Sequence, residues 1–196
     1  MPRIEPLPRA ELPEFEPDFA MVDAVQGYVP NSLFTMARVP GLMPAFMTMV
    51  RTVFMNGLIQ PDLVQMVALM ASSGSGCRYC QAHTSKAASG HGVSEQKLAA
   101  VWEFETSDLF DDAERAALRL ALHAGQVPNA ATEDDFAGCR LHYTDDQIAA
   151  IVASVSLFGY LNRWNDTVAT ELEDIPNDFA SSVLGPQGWD SGKHRT

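Results

Sequence analysis

Apolar positions along this chain recur at helical spacing from about residue 18 to residue 172. No segment sustains the period-two alternation of a half-buried strand. Helix start and stop residues fall between the apolar stretches at short intervals. Asn31, after Pro30, opens a short helix to about Val39. Pro40 and Gly41 interrupt, and an apolar helix runs from Leu42 to Met55, closed by Gly57. Pro61 suits the first turn of a helix through Leu69 and Met70. Ser72-Ser73-Gly74-Ser75-Gly76 then loosens the chain, and a helix restarts near Cys77 and ends at Ser89-Gly90-His91-Gly92. Ser94 caps the next, through Trp102 and Phe104. Asp111 with Glu114, Thr132 with Asp135, and Thr144 with Gln147 resemble capping boxes. The last of these opens the longest helix, Asp145 to about Glu173, which Pro176 terminates. The pattern predicts an all-α bundle.

The two ends break this pattern. Five of the twelve prolines lie in the first 17 residues, so residues 1–17 are expected as an extended arm whose Ile4, Leu7, Leu12 and Phe15 can dock on a neighbouring surface. Residues 18–175 form a single helical domain, and residues 176–196, with Gly185, Pro186, Gly188 and Gly192, read as a surface tail.

Charge narrows the function. Lys and Arg number 13 against 25 Asp and Glu, for a net charge of −12. A basic face that would displace counterions from nucleic acid or dock on anionic lipid is not expected. The stretch MPRIEPLPRAELPEFEP has no apolar core of the secretory kind, and no run approaches a membrane-spanning length. Three cysteines, an odd and low number, suit a reducing, cytoplasmic compartment.

Two of those cysteines carry the chemistry. Cys77-Arg78-Tyr79-Cys80-Gln81-Ala82-His83 places two thiols and an imidazole at i, i+3 and i+6, along one helix face. Thiols so placed can close a small disulfide. The Ser/Gly break puts them at a helix N-terminus, whose partial positive charge favours thiolate, and His83 is within reach of Cys80 as a base. A thiolate with a resolving thiol beside it is the usual arrangement for reducing a peroxide. Alternatives stay open: inert core thiols, a non-catalytic redox-responsive oligomer, or structural zinc with Cys139, His91, His123 or His142 as a further ligand. Cys139 alone reads as a small buried residue.

The pattern Gln65-x-Val67-x-Leu69-x-x-Ser72-x-x-x-x-Cys77-x-Tyr79-Cys80-x-x-His83, with Ala87 and Gly90-x-Gly92-Val93-Ser94, resembles the AhpD-like superfamily of alkylhydroperoxidase D and carboxymuconolactone decarboxylase-type proteins. Asp111-x-x-Glu114-Arg115-Ala116-Ala117-Leu118 and Asn162-Arg163-Trp164-Asn165-Asp166 are similar to its peroxidase-related branch, over about residues 15–175. The resemblance implies an AhpD-like helical bundle assembling as homo-oligomers, commonly dimers, trimers or hexamers, with no cofactor or metal. It implies hydroperoxide reduction, Cys80 attacking and Cys77 resolving, with a thioredoxin- or lipoamide-type partner restoring the thiols. Decarboxylases of the superfamily generally lack the cysteine pair, which leaves a lyase as a weaker alternative.

Two departures stand out. Gln65 occupies the place of a proton-relay glutamate, and an amide cannot relay a proton as a carboxylate does. His83 follows Cys80 by three residues, while the commoner place, four residues on, is Thr84. Tyr79, Thr84, Asn162, Arg163, Asn165 and Asp166 are candidate pocket or interface residues, with Arg163 and Asp166 spaced to pair along one helix face or across a subunit contact.

Overall fold

A computed structural model describes residues 2–195; Met1 and Thr196, the outermost residues of the expected arm and tail, lie outside the described residues. Among the described residues there are ten α-helices and no strand. They are α1 (Glu16–Gln26), α2 (Asn31–Met36), α3 (Leu42–Phe54), α4 (Pro61–Ser75), α5 (Arg78–Gly90), α6 (Glu95–Ala99), α7 (Asp112–Ala124), α8 (Glu133–Arg140), α9 (Asp145–Val168) and α10 (Asp174–Val183). None is long and apolar enough to cross a membrane.

The capping signals translate directly into helix starts. Asp111, Thr132 and Thr144 each accept from the backbone three residues on, and Glu114, Asp135 and Gln147 reach back to complete three capping boxes. Helix α4 is the hub: Val67, Ala68, Leu69 and Ala71 are fully buried, and it packs on α5, α7 and α9. A second apolar cluster joins α1, α2 and α3 to the outer face of α9 through Phe19, Leu33, Met36, Met43 and Leu157.

Helix α4 runs past its expected end at Met70 to Ser75. The Ser72 and Ser73 hydroxyls turn back onto the Ala68 and Leu69 carbonyls, so the polar run satisfies itself inside the helix. Gly74 belongs to the helix because α7 comes so close: a Cβ there would lie 2.4 Å from the Leu122 carbonyl oxygen. Gly125 answers from the other side, where a Cβ would lie 2.4 Å from the Ala71 carbonyl oxygen and 2.7 Å from its Cα. Backbone cannot yield as a side chain would. Gly125→Ala is therefore expected to destabilise the protein by about 2–3 kcal/mol. Gly159→Ala, in α9 with open space around it, should be neutral or stabilising by up to about 1 kcal/mol. Urea unfolding of the two variants tests the contrast.

Three corrections concern the ends. The long helix stops at Val168, not near Glu173, because Ala169 takes a left-handed conformation with φ of 51° and reverses the chain. Of residues 176–196, expected as a surface tail, the described ones, 176–195, are instead part of the packed structure. Pro176 falls in the first turn of α10 rather than ending a helix, and Ala180, Val183, Leu184, Trp189 and His194 are buried. The expected extended arm holds only over residues 2–8: two 3-10 turns occupy residues 9–11 and 13–15, and α1 already begins at Glu16, while the segment is docked through the Arg3 amide on the Val168 carbonyl and the Leu7 amide on the Phe34 carbonyl.

Candidate active site

Cys77 is the N-cap of α5 and Cys80 lies in its first turn. Both are free thiols, 0% and 2% exposed, and hydrogen-bond neighbours of one another. They differ in what they face. Cys80 lines a cavity of about 130 Å³ between α5, α3 and α9, together with Phe46, Phe54, Phe158, Gln65 and His83. Cys77 does not line it.

Burial pushes the Cys80 thiol well above the ordinary thiol value, and the neighbouring Cys77 pushes it further. One group opposes this: the Asn165 side-chain amide, in α9, donates to Cys80 Sγ at 3.5 Å. The Thr170 hydroxyl donates to Asn165 Oδ1 at 2.8 Å, so the amide must present its N–H to the sulfur. The chain reversal at Ala169 brings Thr170 back to that point.

His83 lies on the expected face, but both of its ring nitrogens are engaged elsewhere. Nε2 is 2.7 Å from Glu173 Oε2 and Nδ1 is 3.2 Å from the Tyr28 hydroxyl. The anticipated direct bond from His83 to Cys80 is not made. Tyr79 stacks on the His83 ring at 4.2 Å and donates its hydroxyl to Glu173 Oε1 at 2.8 Å. The Asn31 amide donates to the same oxygen, and the Asn31 side chain donates to the Glu171 carbonyl. Asn31 thus docks α2 onto the 171–173 segment rather than simply opening a helix. Burial raises the Glu173 carboxyl, but His83 and the Asn31 amide outweigh it and hold it below the usual value. The cavity wall carries a buried carboxylate–imidazole pair, with Tyr28 and Tyr79 pushed up by burial and by Glu173.

The remaining expected residues separate. Gln65 and Thr84 line the cavity, and the Thr84 hydroxyl donates to the Cys80 carbonyl at 2.7 Å. Asn162 reaches Ser75 instead of the cavity. Arg163 is exposed. The expected Arg163–Asp166 pairing gives way to Lys193, whose Nζ lies 2.7 Å from Asp166 Oδ2. Cys139 packs between α7 and α8 with its sulfur 3.4 Å from the Ala116 carbonyl, and burial pushes it up to about 11. His123 pairs with Asp135. The expected zinc partners therefore do not gather around Cys77 and Cys80.

A different group does. Cys77, Asp166 and His194 bring their sulfur, oxygen and nitrogen atoms within 4.8 Å of one another. The Lys193 ammonium on Asp166 already supplies the positive charge that a cation would bring, so the cluster reads as a thiol–imidazole–carboxylate array. Glu173, Tyr28 and His194 went unassigned in the sequence, and Asn165 carried only a pocket-or-interface reading. Asn165 had a signal, inside the Asn162–Asp166 motif. The other three come from segments whose approach to α5 no local pattern announces.

Comparison with known proteins places these features. Residues 40–123 match the carboxymuconolactone decarboxylase family. The debrominase Bmp8, whose crystal structures include the apo protein and a cysteine-to-alanine variant in complex with 2,3,4-tribromopyrrole, is 31% identical with a TM-score of 0.85, over 91% of this chain and 95–96% of that one. An uncharacterized peroxidase-related protein from Ralstonia eutropha JMP134, described as having an alkylhydroperoxidase AhpD core, shares the fold at TM-score 0.76 and 23% identity, over 94% of this chain and 95% of its own. The uncharacterized protein YdfG of Bacillus subtilis is 27% identical over 103 residues, 52% of this chain and 67% of its own.

Proposed function

Because the chain belongs to the carboxymuconolactone decarboxylase family of the AhpD-like superfamily, we propose that it is a dithiol reductase of small apolar hydroperoxides. The observation that carries this reading is the asymmetry of the pair: Cys80 faces the cavity and Cys77 does not. In the reaction, Cys80 sulfur attacks the peroxide, the O–O bond breaks, and the alcohol leaves with a proton. The product is a sulfenic acid on Cys80. Cys77 sulfur then attacks Cys80 sulfur, the S–O bond breaks, and water leaves. Two thiols and one hydroperoxide become a disulfide, an alcohol and water. A thioredoxin- or lipoamide-type dithiol in a reducing, cytoplasmic compartment returns the protein to its starting state. Exposed Val25, Met49 and Met55 offer apolar contact for a homo-oligomer.

Each wall has a task. Phe46, Phe54 and Phe158 exclude water and accept an apolar group. The Asn165 amide supports the negative charge that grows on Cys80. The His83–Glu173 pair supplies an imidazole held in one orientation, able to exchange a proton at the cavity edge. Since the Cys80 thiol titrates well above its ordinary value, its thiolate fraction grows about tenfold per pH unit below that point. The rate of Cys80 oxidation is expected to climb steadily from neutral into alkaline pH without levelling off, as stopped-flow oxidation would show.

A second reading is reductive dehalogenation. It is favoured by the 31% identity to a debrominase across most of both chains and by the aromatic cavity. Cys80 would take the halogen, the ring carbon would take a proton, and attack by Cys77 would release halide. One experiment separates the two. Reduced, chelator-treated protein is mixed with one equivalent of cumene hydroperoxide or of 2,3,4-tribromopyrrole, and free thiols and bromide are counted. Loss of two thiols to the hydroperoxide within seconds supports the first reading. Loss of two thiols with bromide release, from the pyrrole alone, replaces it with the second. No thiol loss to either overturns dithiol reduction.

A further inference from the structure

We propose that His194, brought in by the C-terminal segment, is the proton acceptor for the Cys77 thiol during disulfide closure. This assignment rests on the dithiol reading above and deepens it by giving Cys77 a base of its own.

The geometry is specific. His194 is 1% exposed, and its Nδ1 lies 2.9 Å from the Thr170 carbonyl oxygen. A carbonyl only accepts, so Nδ1 carries the hydrogen and Nε2 carries the lone pair. That lone pair is buried and has no hydrogen-bond partner. Buried polar atoms are rarely left so, and this one is aimed into a group that contains a reacting sulfur. Nε2 lies 3.6 Å from Asp166 Oδ1, and a His194 ring nitrogen, an Asp166 carboxylate oxygen and Cys77 Sγ all lie within 4.8 Å of one another. Catalytic hydrogen bonds are often long or unmade in a resting protein and tighten as the reaction proceeds. Asp166 stands where it can stabilise the imidazolium that forms, and Lys193 at 2.7 Å holds that carboxylate in place.

The segment is held firmly enough for the task. The Leu172 amide donates to the His194 carbonyl at 2.8 Å, and Arg195 pairs with Asp174. Thr170 serves both thiols: its hydroxyl orients Asn165 toward Cys80, and its carbonyl orients His194 toward Cys77. The groups facing the imidazole are Cys77 and Tyr79 from the start of α5, Asp166 from α9, and Lys193 beside it, with the Arg78 stem packed near Gly192. In the step itself the Cys77 S–H proton moves to His194 Nε2. The Cys77 sulfur then bonds to the Cys80 sulfur, and hydroxide leaves Cys80 and is protonated to water. Burial lowers His194 from the ordinary imidazole value, so it stays neutral and able to accept at physiological pH.

The variant His194→Asn keeps a side-chain N–H for the Thr170 carbonyl and removes the outer part of the ring with Nε2. With one equivalent of cumene hydroperoxide it is expected to oxidise Cys80 at the wild-type rate. It should then close the disulfide about a hundredfold more slowly, so that a dimedone-trappable sulfenic acid accumulates. The wild-type closure rate should fall on the acid side below the ordinary imidazole value, and that limb should vanish in the variant. Closure at the wild-type rate with an unchanged pH profile would overturn the proposal. A second measurement needs no peroxide. In Cys80→Ser protein, the Cys77 thiolate is titrated by its ultraviolet absorbance with and without His194→Asn. A shift of the Cys77 titration curve between the two proteins supports the pairing, and an unmoved titration curve sinks it. If wild-type protein ignores hydroperoxide but the titration shifts, the substrate reading fails and the His194–Cys77 pairing stands.

Discussion

Cys80→Ser is expected to lower the rate of substrate reduction by at least about a thousandfold while leaving the protein folded. A serine hydroxyl still accepts the Asn165 amide, and the substitution removes little volume, so the stability change should stay within about 1–2 kcal/mol. Cys77→Ser should behave differently, because Cys77 does not line the cavity. It should consume one equivalent of oxidant at close to the wild-type rate and stop at a sulfenic acid on Cys80. Thiol counting and mass measurement after a single equivalent of hydroperoxide distinguish these outcomes. If Cys77→Ser abolished the first oxidation and Cys80→Ser did not, the roles of the two sulfurs would be reversed. The third cysteine serves as a control: Cys139→Ser lies in the α7–α8 contact and should react as wild type.

The largest structural effect is expected at Glu173. Its carboxylate accepts from the His83 ring and the Tyr79 hydroxyl of α5 and from the Asn31 amide of α2. Glu173→Ala leaves those buried donors without a partner and is expected to cost about 3–5 kcal/mol. Helix α2 and the cavity wall should loosen together, since Asn31 docks α2 onto this segment. The pH dependence follows from the depressed carboxyl. The unfolded chain takes up the proton first as pH falls, so acid favours unfolding. The contribution is fully present above the ordinary glutamate value of about 4.3 and is lost as pH drops through the lower folded value. Urea midpoints measured between about pH 6 and about pH 3 should fall for wild type. They should fall less for Glu173→Gln, which starts lower and has no carboxyl to titrate. Parallel curves for the two proteins would show that Glu173 contributes nothing through its charge.

Much of the scaffold is legible in the sequence because its signals are local. The three capping boxes join residues three apart, and a side chain that short can reach only the first turn of its own helix. The Cys77–Cys80 spacing is local too, and places both thiols at the start of α5. Where the reading erred, a distant partner had intervened. Ser72 to Gly76 looks like a break, yet α7 approaches so closely that Gly74 serves contact rather than flexibility. The stretch from Ala169 to Arg195 looks like a helix end and a solvated tail, yet it carries Thr170 to Asn165, Glu173 to His83 and His194 to the group around Cys77.

His83 shows the boundary most clearly. Its position on the face of α5 was readable from its spacing, but its hydrogen-bond partners lie 55 and 90 residues away in the chain. By itself the sequence determined an all-helical scaffold, the helix starts and a thiol pair at the head of one helix, because periodicity and capping act within a few residues. Only the tertiary structure decided which thiol meets the cavity, that His83 is committed to Glu173 and Tyr28, and that the C-terminal segment brings a second imidazole to Cys77. Those outcomes depend on burial and on contacts between segments far apart in the chain, set by how the helices pack rather than by the residues beside each group.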